Sequence, residues 1–312
     1  MRIITAMAAA LAAGSAAGSA AAQQYEAAPG DIKGAPRPGE ISLQPAATEL
    51  MRDLTALDTL LNWLIAGIVI FVVGLMAYVA VRFRAGRNPE AARFTHNSTV
   101  EVIWTAVPVM ILVAIAFPSL NLLYKQLEIP EAEVTLKAIG NQWYWDYEYP
   151  DYGIDQTSIM VAQNYASWDD VMASEAGREE VERYGVTRDT WRLATDAPVV
   201  LPIDTVIRVQ TTANDVIHAW TVPSFGHKMD SIPGRLNEFW FRIDEPGTYF
   251  GQCSELCGSN HAYMPIEIQA VTREAFDGWV EQRRADSGLP PQETRLAAGG
   301  AGRAPVALAA AE

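Results

Sequence analysis

Four metal donors crowd one short stretch of this sequence. The only two cysteines among its 312 residues, Cys253 and Cys257, are followed by His261 and then by Met264. Thiolates, imidazoles and thioethers suit copper, whereas magnesium and calcium prefer oxygen ligands. A further imidazole, His218, stands upstream in a separate strand-like run. One ligand on a strand and the others on a later loop is the arrangement of copper sites in β-sandwiches, so the pattern predicts a copper centre.

The second cysteine departs from a mononuclear blue-copper site, which uses one cysteine, two histidines and a long axial methionine. Two thiolates can bridge two metal ions, so the pair indicates a binuclear copper centre. A structural disulfide and a zinc site are the alternatives for Cys253 and Cys257. The nearby histidines and methionine favour a metal over a disulfide, and the thioether favours copper over zinc.

The sequence around these donors resembles a known family, the subunit II of cytochrome c oxidases. The resemblance covers about residues 50–280. It rests on the long run C-S-E-L-C-G-S-N-H-A-Y-M-P from Cys253 and on three shorter motifs: D-V-I-H-A-W from Asp215, I-P-G-R from Ile232 and N-Q-W-Y-W from Asn141. It implies a cupredoxin-like domain with a binuclear copper A centre, carried on a membrane hairpin.

The resemblance also implies a role for each donor. Cys253 and Cys257 would bridge the two coppers. His218 and Met264 would serve one copper, and His261 would serve the other.

Glu255, between the two cysteines, has two implied roles. In the family its backbone carbonyl is a weak axial copper ligand, and its carboxylate reaches a Mg/Mn site at the boundary with subunit I. A carboxylate is a hard ligand that suits these ions, but one glutamate needs further ligands from the partner. The alternative is an exposed acid of the loop.

The domain that carries the donors is strongly acidic. The chain has a formal net charge of −14, and residues 125–285 contain 26 acidic and 13 basic residues. Such a surface disfavours nucleic acid and would steer a basic soluble partner towards the metal. The alternative is that the charge serves solubility alone. The resemblance names the partner as cytochrome c, the electron donor.

An aromatic cluster that begins at Trp143 is a candidate docking feature, because exposed aromatic residues ringed by acids are common in interfaces. The resemblance implies that electrons from cytochrome c arrive at Trp143. Glu148, Asp155 and Asp215 are candidate acids around it. Asp215 is alternatively a residue that orients His218.

Two long apolar runs, at about residues 57–81 and 100–123, are candidate membrane spans, since a bilayer core of ~30 Å needs ~20 helical residues. Pro108 and Pro118 lie in the second run, and membrane helices tolerate proline. The loop between the runs carries four arginines against one glutamate, so the positive-inside rule places it in the cytoplasm. Everything after about Tyr124 then lies outside.

Glu101 stands at the cytoplasmic start of the second span. An acid at a helix N-terminus is favoured by the helix dipole, which is the simpler interpretation. An ionisable group at a membrane boundary is also a candidate for a proton path. The resemblance implies a position near the entrance of a proton channel of the partner subunit.

The remaining segments complete the predicted organisation. An alanine-rich start with Arg2 and a small-residue cleavage site indicates a secretory signal. The chain then divides as follows: residues 1–22 signal peptide, 23–50 extracytoplasmic and mobile arm, 51–124 transmembrane hairpin, 125–285 copper domain, and 286–312 disordered tail.

Short alternating runs after residue 125 predict an all-β sandwich or barrel. One segment, Ala166 to Tyr184, is predicted as a helical insertion, with Ser167 as N-cap and Gly185 as a stop. Its apolar residues at helical spacing form the predicted buried face: Trp168, Val171, Met172 and Ala176. His227 and Met229 lie near the donors in sequence. They are predicted to be surface residues without a metal role.

The resemblance, together with the predicted spans and signal, implies the electron-accepting subunit of a cytochrome c oxidase in a bacterial inner membrane, with the C-terminal domain in the periplasm. Its partners would be subunit I with heme and copper B, other oxidase subunits, cytochrome c and membrane lipid. With only four histidines the chain has no ligand set for reducing oxygen alone. A copper-delivery or thiol-redox protein, a quinol-oxidase subunit II and a nitrous oxide reductase are the alternatives. A copper-delivery or thiol-redox protein is expected to have a single membrane anchor, and a quinol-oxidase subunit II lacks the copper ligands. A nitrous oxide reductase needs a much longer chain. Each of these expectations disagrees with this sequence.

Overall fold

The computed structural model describes residues 31–90 and 93–291, which form two long helices and a β-sandwich. Helix α1 (Glu49–Arg82) and helix α2 (Ser98–Leu127) contain the two predicted spans. Each helix begins at a polar N-cap. The side chain of Thr48 accepts from the Met51 amide, and that of Asn97 accepts from the Val100 amide. The predicted signal sequence lies outside the described residues.

The apolar side chains of α1 and α2 face outward. Phe71 is 65% exposed and Phe117 is 70% exposed, and both helices are long and apolar enough to cross a membrane. A soluble protein rarely exposes so large an apolar surface, because removing it from water is strongly favourable. The length, composition and exposure of these helices therefore suit a membrane environment.

The sandwich consists of two larger sheets and a two-stranded ribbon. One sheet has the order β1-β10-β11-β5, the other has the order β4-β3-β2-β6-β9, and β7 pairs with β8. The strands within the described residues are β1 (Ile32–Gly34), β2 (Val134–Asn141), β3 (Tyr144–Tyr149), β4 (Ile154–Ser158), β5 (Val199–Pro202), β6 (Ile207–Ala213), β7 (His218–Val222), β8 (His227–Ser231), β9 (Asn237–Phe241), β10 (Gly247–Gln252) and β11 (Pro265–Val271).

The two larger sheets pack face to face through one hydrophobic core. On β3, Trp145, Tyr147 and Tyr149 point into this core, while the polar residues between them point out. The same alternation appears on β6, where Ile207 and Val209 are buried. The core reaches the metal donors, because both cysteines and Met264 belong to the same cluster. The prediction of a two-helix hairpin followed by an all-β sandwich is confirmed.

Ion pairs join the two helices to each other and to the sandwich. Lys125, near the end of α2, contacts both Glu49 and Asp53 of α1. Arg52 pairs with Asp244, which follows β9 in the sandwich. In addition, the Thr48 hydroxyl donates to the carbonyl of Phe225 at 2.9 Å. The sandwich is therefore tied to the start of the hairpin as well as to its end.

The predicted mobile arm is wrong for part of its length. Residues 32–34 form β1, which pairs in parallel with β10 at the edge of a sheet. The Lys33 ammonium lies 3.2 Å from the Glu245 carboxylate and reinforces this pairing. The sequence signal was weak because β1 has three residues and its partner lies more than 200 positions away. Residues 23–30 lie outside the described residues.

The helical insertion is present, but as two helices instead of one. Helix α3 (Trp168–Ala173) has the predicted N-cap Ser167, and helix α4 (Glu175–Arg183) ends before Gly185. Ser174 separates them, because its extended backbone ends α3 while its hydroxyl accepts from the Gly177 amide to begin α4.

The predicted apolar face of the insertion is also partly wrong. Val171 is buried as expected, but Met172 is 41% exposed and Ala176 is exposed. Gly177 and Val181 of α4 are buried instead. The break at Ser174 changes the phase of the helical turns, which explains the difference.

A C-terminal helix, α5 (Arg273–Asp286), was not predicted. Thr272 is its N-cap, and Phe276, Trp279 and Val280 close one end of the sandwich core. The predicted disordered tail begins too early, because the Leu289 amide still donates to the Arg284 carbonyl at 2.8 Å. Residues 292–312 of that tail lie outside the described residues.

Candidate metal centre

The predicted donors converge at one end of the sandwich, where β7 and β11 begin and β10 ends. His218 is the first residue of β7. The antiparallel register of β10 and β11 places Gln252 opposite Pro265, so the intervening loop starts and ends at neighbouring points. The Cys253 amide donates to the Met264 carbonyl at 3.4 Å across this closure.

The sulfur and nitrogen atoms lie close enough to share metal ions. The two cysteine Sγ atoms are 3.9 Å apart, and Cys253 Sγ lies 3.9 Å from His218 Nδ1. Cys257 Sγ lies 3.6 Å from both His261 Nδ1 and Met264 Sδ. Metal–sulfur bonds of ~2.3 Å and metal–nitrogen bonds of ~2.0 Å let one ion reach two donors up to about 4.3 Å apart. All four distances fit.

The cysteines are free thiols, since a disulfide requires its sulfurs at about 2.05 Å. Burial alone raises the pKa of Cys253, but hydrogen bonds with His218, the Glu255 carbonyl and backbone groups lower it to about 7. For Cys257, burial and the neighbouring Cys253 charge raise the pKa. Without metal the pair therefore holds one thiolate more easily than two, and a bound cation would favour the second ionisation.

Asp215 orients the imidazole of His218. Its carboxylate lies 2.9 Å from His218 Nε2 and also accepts from the backbone amides of Gln142 and Val216. A carboxylate only accepts, so Nε2 carries the proton and Nδ1 keeps its lone pair towards Cys253. Burial opposes ionisation of Asp215, but these hydrogen bonds lower its pKa.

Two glycines allow this close packing. A Cβ at Gly140 of β2 would lie 2.7 Å from His218 Cδ2, and one at Gly251 of β10 would lie 2.0 Å from the Thr221 carbonyl oxygen. Both distances are far below ordinary van der Waals contact. Gly140 thus provides the space for the imidazole, and Gly251 allows β10 to approach β7. Sequence reasoning missed both, although Gly140 directly precedes the motif that begins at Asn141.

Glu255 presents different groups to the two sides of the loop. Its backbone carbonyl lies 3.4 Å from Cys253 Sγ, on the side of the metal donors. Its carboxylate is half-exposed and pairs with the Lys228 ammonium at 3.2 Å. Lys228 also contacts Asp230. The carboxylate therefore points away from the soft donors and towards the surface of the domain.

Trp143 contacts the metal loop directly. Its indole Nε1 lies 3.3 Å from the carbonyl oxygen of Cys257, which also accepts from the Gln142 side chain at 2.7 Å. A Cβ at Gly258 would lie 3.0 Å from the indole ring, so the loop packs closely against it. Trp143 is half-buried, and the neighbouring Trp145 donates to the Met264 carbonyl from inside the core.

The other predicted acids are dispersed. Glu148 and Asp155 face each other on β3 and β4 and line an open cleft of about 630 Å³ along the sheet. Glu148 is paired there with Lys137 at 2.9 Å. Glu101 is distant in sequence from the metal donors and lies in the first turn of α2, where its carboxylate accepts from the Asn97 amide at 3.4 Å. Of the four acids outside the loop, only Asp215 adjoins the metal donors.

The prediction that His227 and Met229 are surface residues is wrong. Both are partly buried, and the His227 ring packs 5.0 Å from that of Phe239. Its Nε2 is buried and has no hydrogen-bond partner among the described residues. Burial lowers the pKa of His227 to about 4. The two residues occupy alternate positions of β8 that face inward, which the polar composition of the segment concealed.

Comparison with known proteins identifies the family. The family model for the periplasmic domain of cytochrome c oxidase subunit II matches residues 134–271, and that for its transmembrane domain matches residues 36–122. Cytochrome c oxidase subunit 2 of Cereibacter sphaeroides is 48% identical over 254 residues, which cover 81% of this chain and 84% of that protein. The probable cytochrome c oxidase subunit 2 of Rickettsia bellii is 41% identical over 248 residues, 80% of this chain and 86% of that protein.

A solved structure is also similar. The periplasmic domain of subunit II of cytochrome oxidase from Bradyrhizobium japonicum is 41% identical, covers 51% of this chain and 99% of that chain, and has a TM-score of 0.41. Together, the two helices and the two family matches describe a membrane-anchored protein with a periplasmic C-terminal domain. The chain belongs to the cytochrome c oxidase subunit II family.

Proposed function

We propose that this chain is the electron-accepting subunit of a cytochrome c oxidase complex in a bacterial inner membrane. A binuclear copper A centre on the sandwich would take electrons from cytochrome c and pass them to heme in subunit I, where O₂ is reduced to water and protons are pumped. The observation that carries this proposal is the convergence of two thiols, two imidazoles and a thioether beside the half-buried Trp143.

The donor set fits copper better than zinc or a disulfide. Two buried sulfurs 3.9 Å apart can both contact the same two ions, and Met264 adds a thioether that zinc does not favour. Copper held there would supply one-electron chemistry, and the thiolates of Cys253 and Cys257 would hold it with little rearrangement on reduction. The protein supports this chemistry by burying the sulfurs and by fixing His218 through Asp215.

Electrons from cytochrome c would arrive through Trp143. Its indole hydrogen bond to the Cys257 carbonyl gives a short covalent and hydrogen-bonded route to a bridging sulfur. The excess of acidic residues in the domain would attract a basic donor. Among the predicted docking acids, Asp155 is exposed, whereas Glu148 and Asp215 have partners of their own. We therefore assign docking mainly to Trp143 and to the summed charge, with Asp155 as a peripheral contact.

Two further roles follow from the predicted partnership with subunit I. The half-exposed Glu255 carboxylate would contribute one ligand to a Mg/Mn site completed by the partner. The metal ion would then replace the Lys228 ammonium as the partner of this carboxylate. Glu101, in the first turn of α2, would stand near the entrance of a proton channel of the partner. Manganese EPR of Glu255→Gln complexes and proton-uptake rates of Glu101→Gln complexes test these roles.

The central test is a copper count with an EPR spectrum on the full chain, purified in detergent without other subunits and loaded with copper. Two coppers per chain and a seven-line hyperfine pattern are expected, because two equivalent nuclei of spin 3/2 share the electron. A Cys257→Ser chain is the matched control and should lose this pattern. One copper with four lines, or a Cys253–Cys257 disulfide, would refute the binuclear centre and favour a thiol-redox function.

A further inference from the structure

The helical insertion between β4 and β5 forms a small structural unit of its own. Its residues build a separate hydrophobic cluster of Val161, Ala162, Val171, Val181, Val186, Trp191 and Ala194. This cluster is distinct from the core of the sandwich. Apolar packing thus holds the insertion together internally, and polar contacts also tie it to the sandwich. Several of these contacts reach Trp143, Tyr263 and Glu267, at or beside the metal loop.

Gln163 bridges two segments of the candidate metal centre. Its side-chain amide donates to the Trp143 carbonyl at 3.0 Å and to the Tyr263 carbonyl at 3.1 Å. The amide group has two N–H donors, so one side chain can satisfy both carbonyls. The bridge joins the tryptophan to the short 3₁₀ turn that begins at His261.

Arg192 contacts the same turn through the side chain of Tyr263, whereas Gln163 contacts the backbone of that residue. Its guanidinium donates to the Tyr263 hydroxyl at 3.2 Å and lies over the ring at 4.8 Å from its centroid. It also donates to the Ala166 carbonyl at 3.0 Å and lies over the Trp191 ring. Stacking and a fork of donors are properties of arginine that lysine does not share. Arg192 therefore couples Tyr263 to the segment before α3 and to the segment after α4.

A buried carboxylate links the C-terminal part of the insertion to β11, the strand that follows the donors. Glu267 of β11 accepts from the Thr195 amide at 2.7 Å, and its other contact is the Thr195 hydroxyl at 3.5 Å. Thr195 follows Arg192 by three positions, and Glu267 follows Met264 by three. The insertion and the donor segment are consequently linked at three points.

We propose that Gln163 and Arg192 are positioning residues that clamp the segment from His261 to Met264 against Trp143. Tyr263 lies between these two candidate ligands, so its backbone and ring positions determine theirs. The clamp also sets the contact between the indole and the Cys257–Gly258 segment. This inference rests on the proposed function, because it assigns to the insertion control over the transfer of one electron from ferrous cytochrome c to the oxidised metal centre.

The test uses Gln163→Glu and Arg192→Ala in the purified oxidase complex, with Asn164→Ala and Arg188→Ala as matched controls. Asn164 and Arg188 are exposed residues of the same insertion. Glutamate has the size of glutamine but presents two acceptors to two carbonyls, so it removes the clamp without removing volume. We expect electron transfer from cytochrome c to slow by about tenfold, because a displacement of about 1 Å can cost up to about 100-fold. The controls should keep the rate of the unaltered complex.

A second readout does not depend on activity. Hydrogen exchange of the copper-free full chain reports on the turn, whose His261 and Tyr263 amides donate to Gly258 and Asn260 carbonyls. We expect these amides to exchange about tenfold faster in both clamp variants, while the amides of β2 and β6 keep their protection. If exchange and electron transfer both match the controls, the clamp is refuted.

Tyr263→Phe provides a milder variant that removes only the hydroxyl contact of Arg192. It should slow electron transfer partially and should not add to the effect of Arg192→Ala, whereas additive effects would contradict the clamp. The proposed function fails in a different way. If the unaltered complex contains no copper A spectrum or takes no electrons from cytochrome c, the function is wrong, whatever the variants do. If the unaltered complex behaves as proposed and the clamp variants resemble the controls, only the clamp is wrong.

Discussion

Gly140→Ala tests whether the space beside His218 determines metal binding. The new Cβ would lie 2.7 Å from His218 Cδ2 and 2.8 Å from Cγ, whereas ordinary contact begins at 3.4 Å. The ring or the β2 backbone must therefore retreat by about 0.7 Å. Functional sites need their groups within about 0.5 Å of the productive geometry, so this displacement is large enough to disturb one donor. No proposed ligand is itself changed.

The expected losses in stability and in copper affinity can both be estimated. Overpacking of a well-packed site costs about 1–3 kcal/mol, so we expect the copper-free domain to stay folded but to lose stability in that range. Disturbing groups that orient metal ligands typically costs about 10–100-fold in affinity, and a displaced ligand should cost at least as much. The predicted outcome is weak or partial copper loading on a folded domain.

The assay measures copper per chain after chelator competition, together with urea unfolding of the copper-free chain. Gly86→Ala is the control, because a Cβ at Gly86 has nothing within 4 Å. Full loading with the unaltered affinity and spectrum in Gly140→Ala would show that the imidazole does not need this space. Global unfolding with a loss well above about 3 kcal/mol would show instead that β2 itself is disrupted, and this too would contradict the reasoning.

Three other perturbations have defined outcomes. Asp215→Asn leaves His218 Nε2 facing an amide instead of a carboxylate, and copper affinity should fall by about 10–100-fold in chelator titrations; an unchanged affinity would remove Asp215 from the centre. Trp143→Phe keeps an aromatic ring but deletes the indole donor to Cys257, so electron transfer from cytochrome c measured by stopped flow should slow while the copper spectrum is retained. Burial raises the pKa of Glu267 from 4.5 to about 7, so the folded state binds its proton more tightly than the unfolded state. The free energy of unfolding should therefore fall as pH rises from about 4.5 to 7, by up to about 3 kcal/mol, and Glu267→Gln should flatten that decline in urea titrations.

The candidate centre was predictable because its donors are distinctive and close in sequence. Cys253, Cys257, His261 and Met264 lie on one loop, and few functions other than metal binding combine these residue types. The strands were predictable for a similar local reason, since alternation such as that of Trp145, Tyr147 and Tyr149 indicates one buried face. The apolar spans needed only length and composition.

The missed features depend on contacts between distant residues. No local pattern pairs Ile32 with Thr248, or selects Gly140 to face His218. The burial of the His227 side chain depends on the packing of Phe239 against β8, whereas its polar neighbours in sequence suggested an exposed residue. Helix α5 did carry a signal, because Thr272 precedes an amphipathic run, and a stricter search for N-caps would have found it.

The pairing of β1 with β10 has a consequence for how the protein is made. The sandwich is discontinuous in sequence, because both membrane helices lie between β1 and β2. During synthesis the first strand emerges before the hairpin, yet its partner β10 is made some two hundred residues later. The sheet edge is completed only after the chain has crossed the membrane twice and returned to the same side. Crossing by both helices is thus a precondition for closing the sandwich, because a chain in which only one helix crossed would hold β1 and β10 on opposite sides and leave the edge of β10 open to other strands.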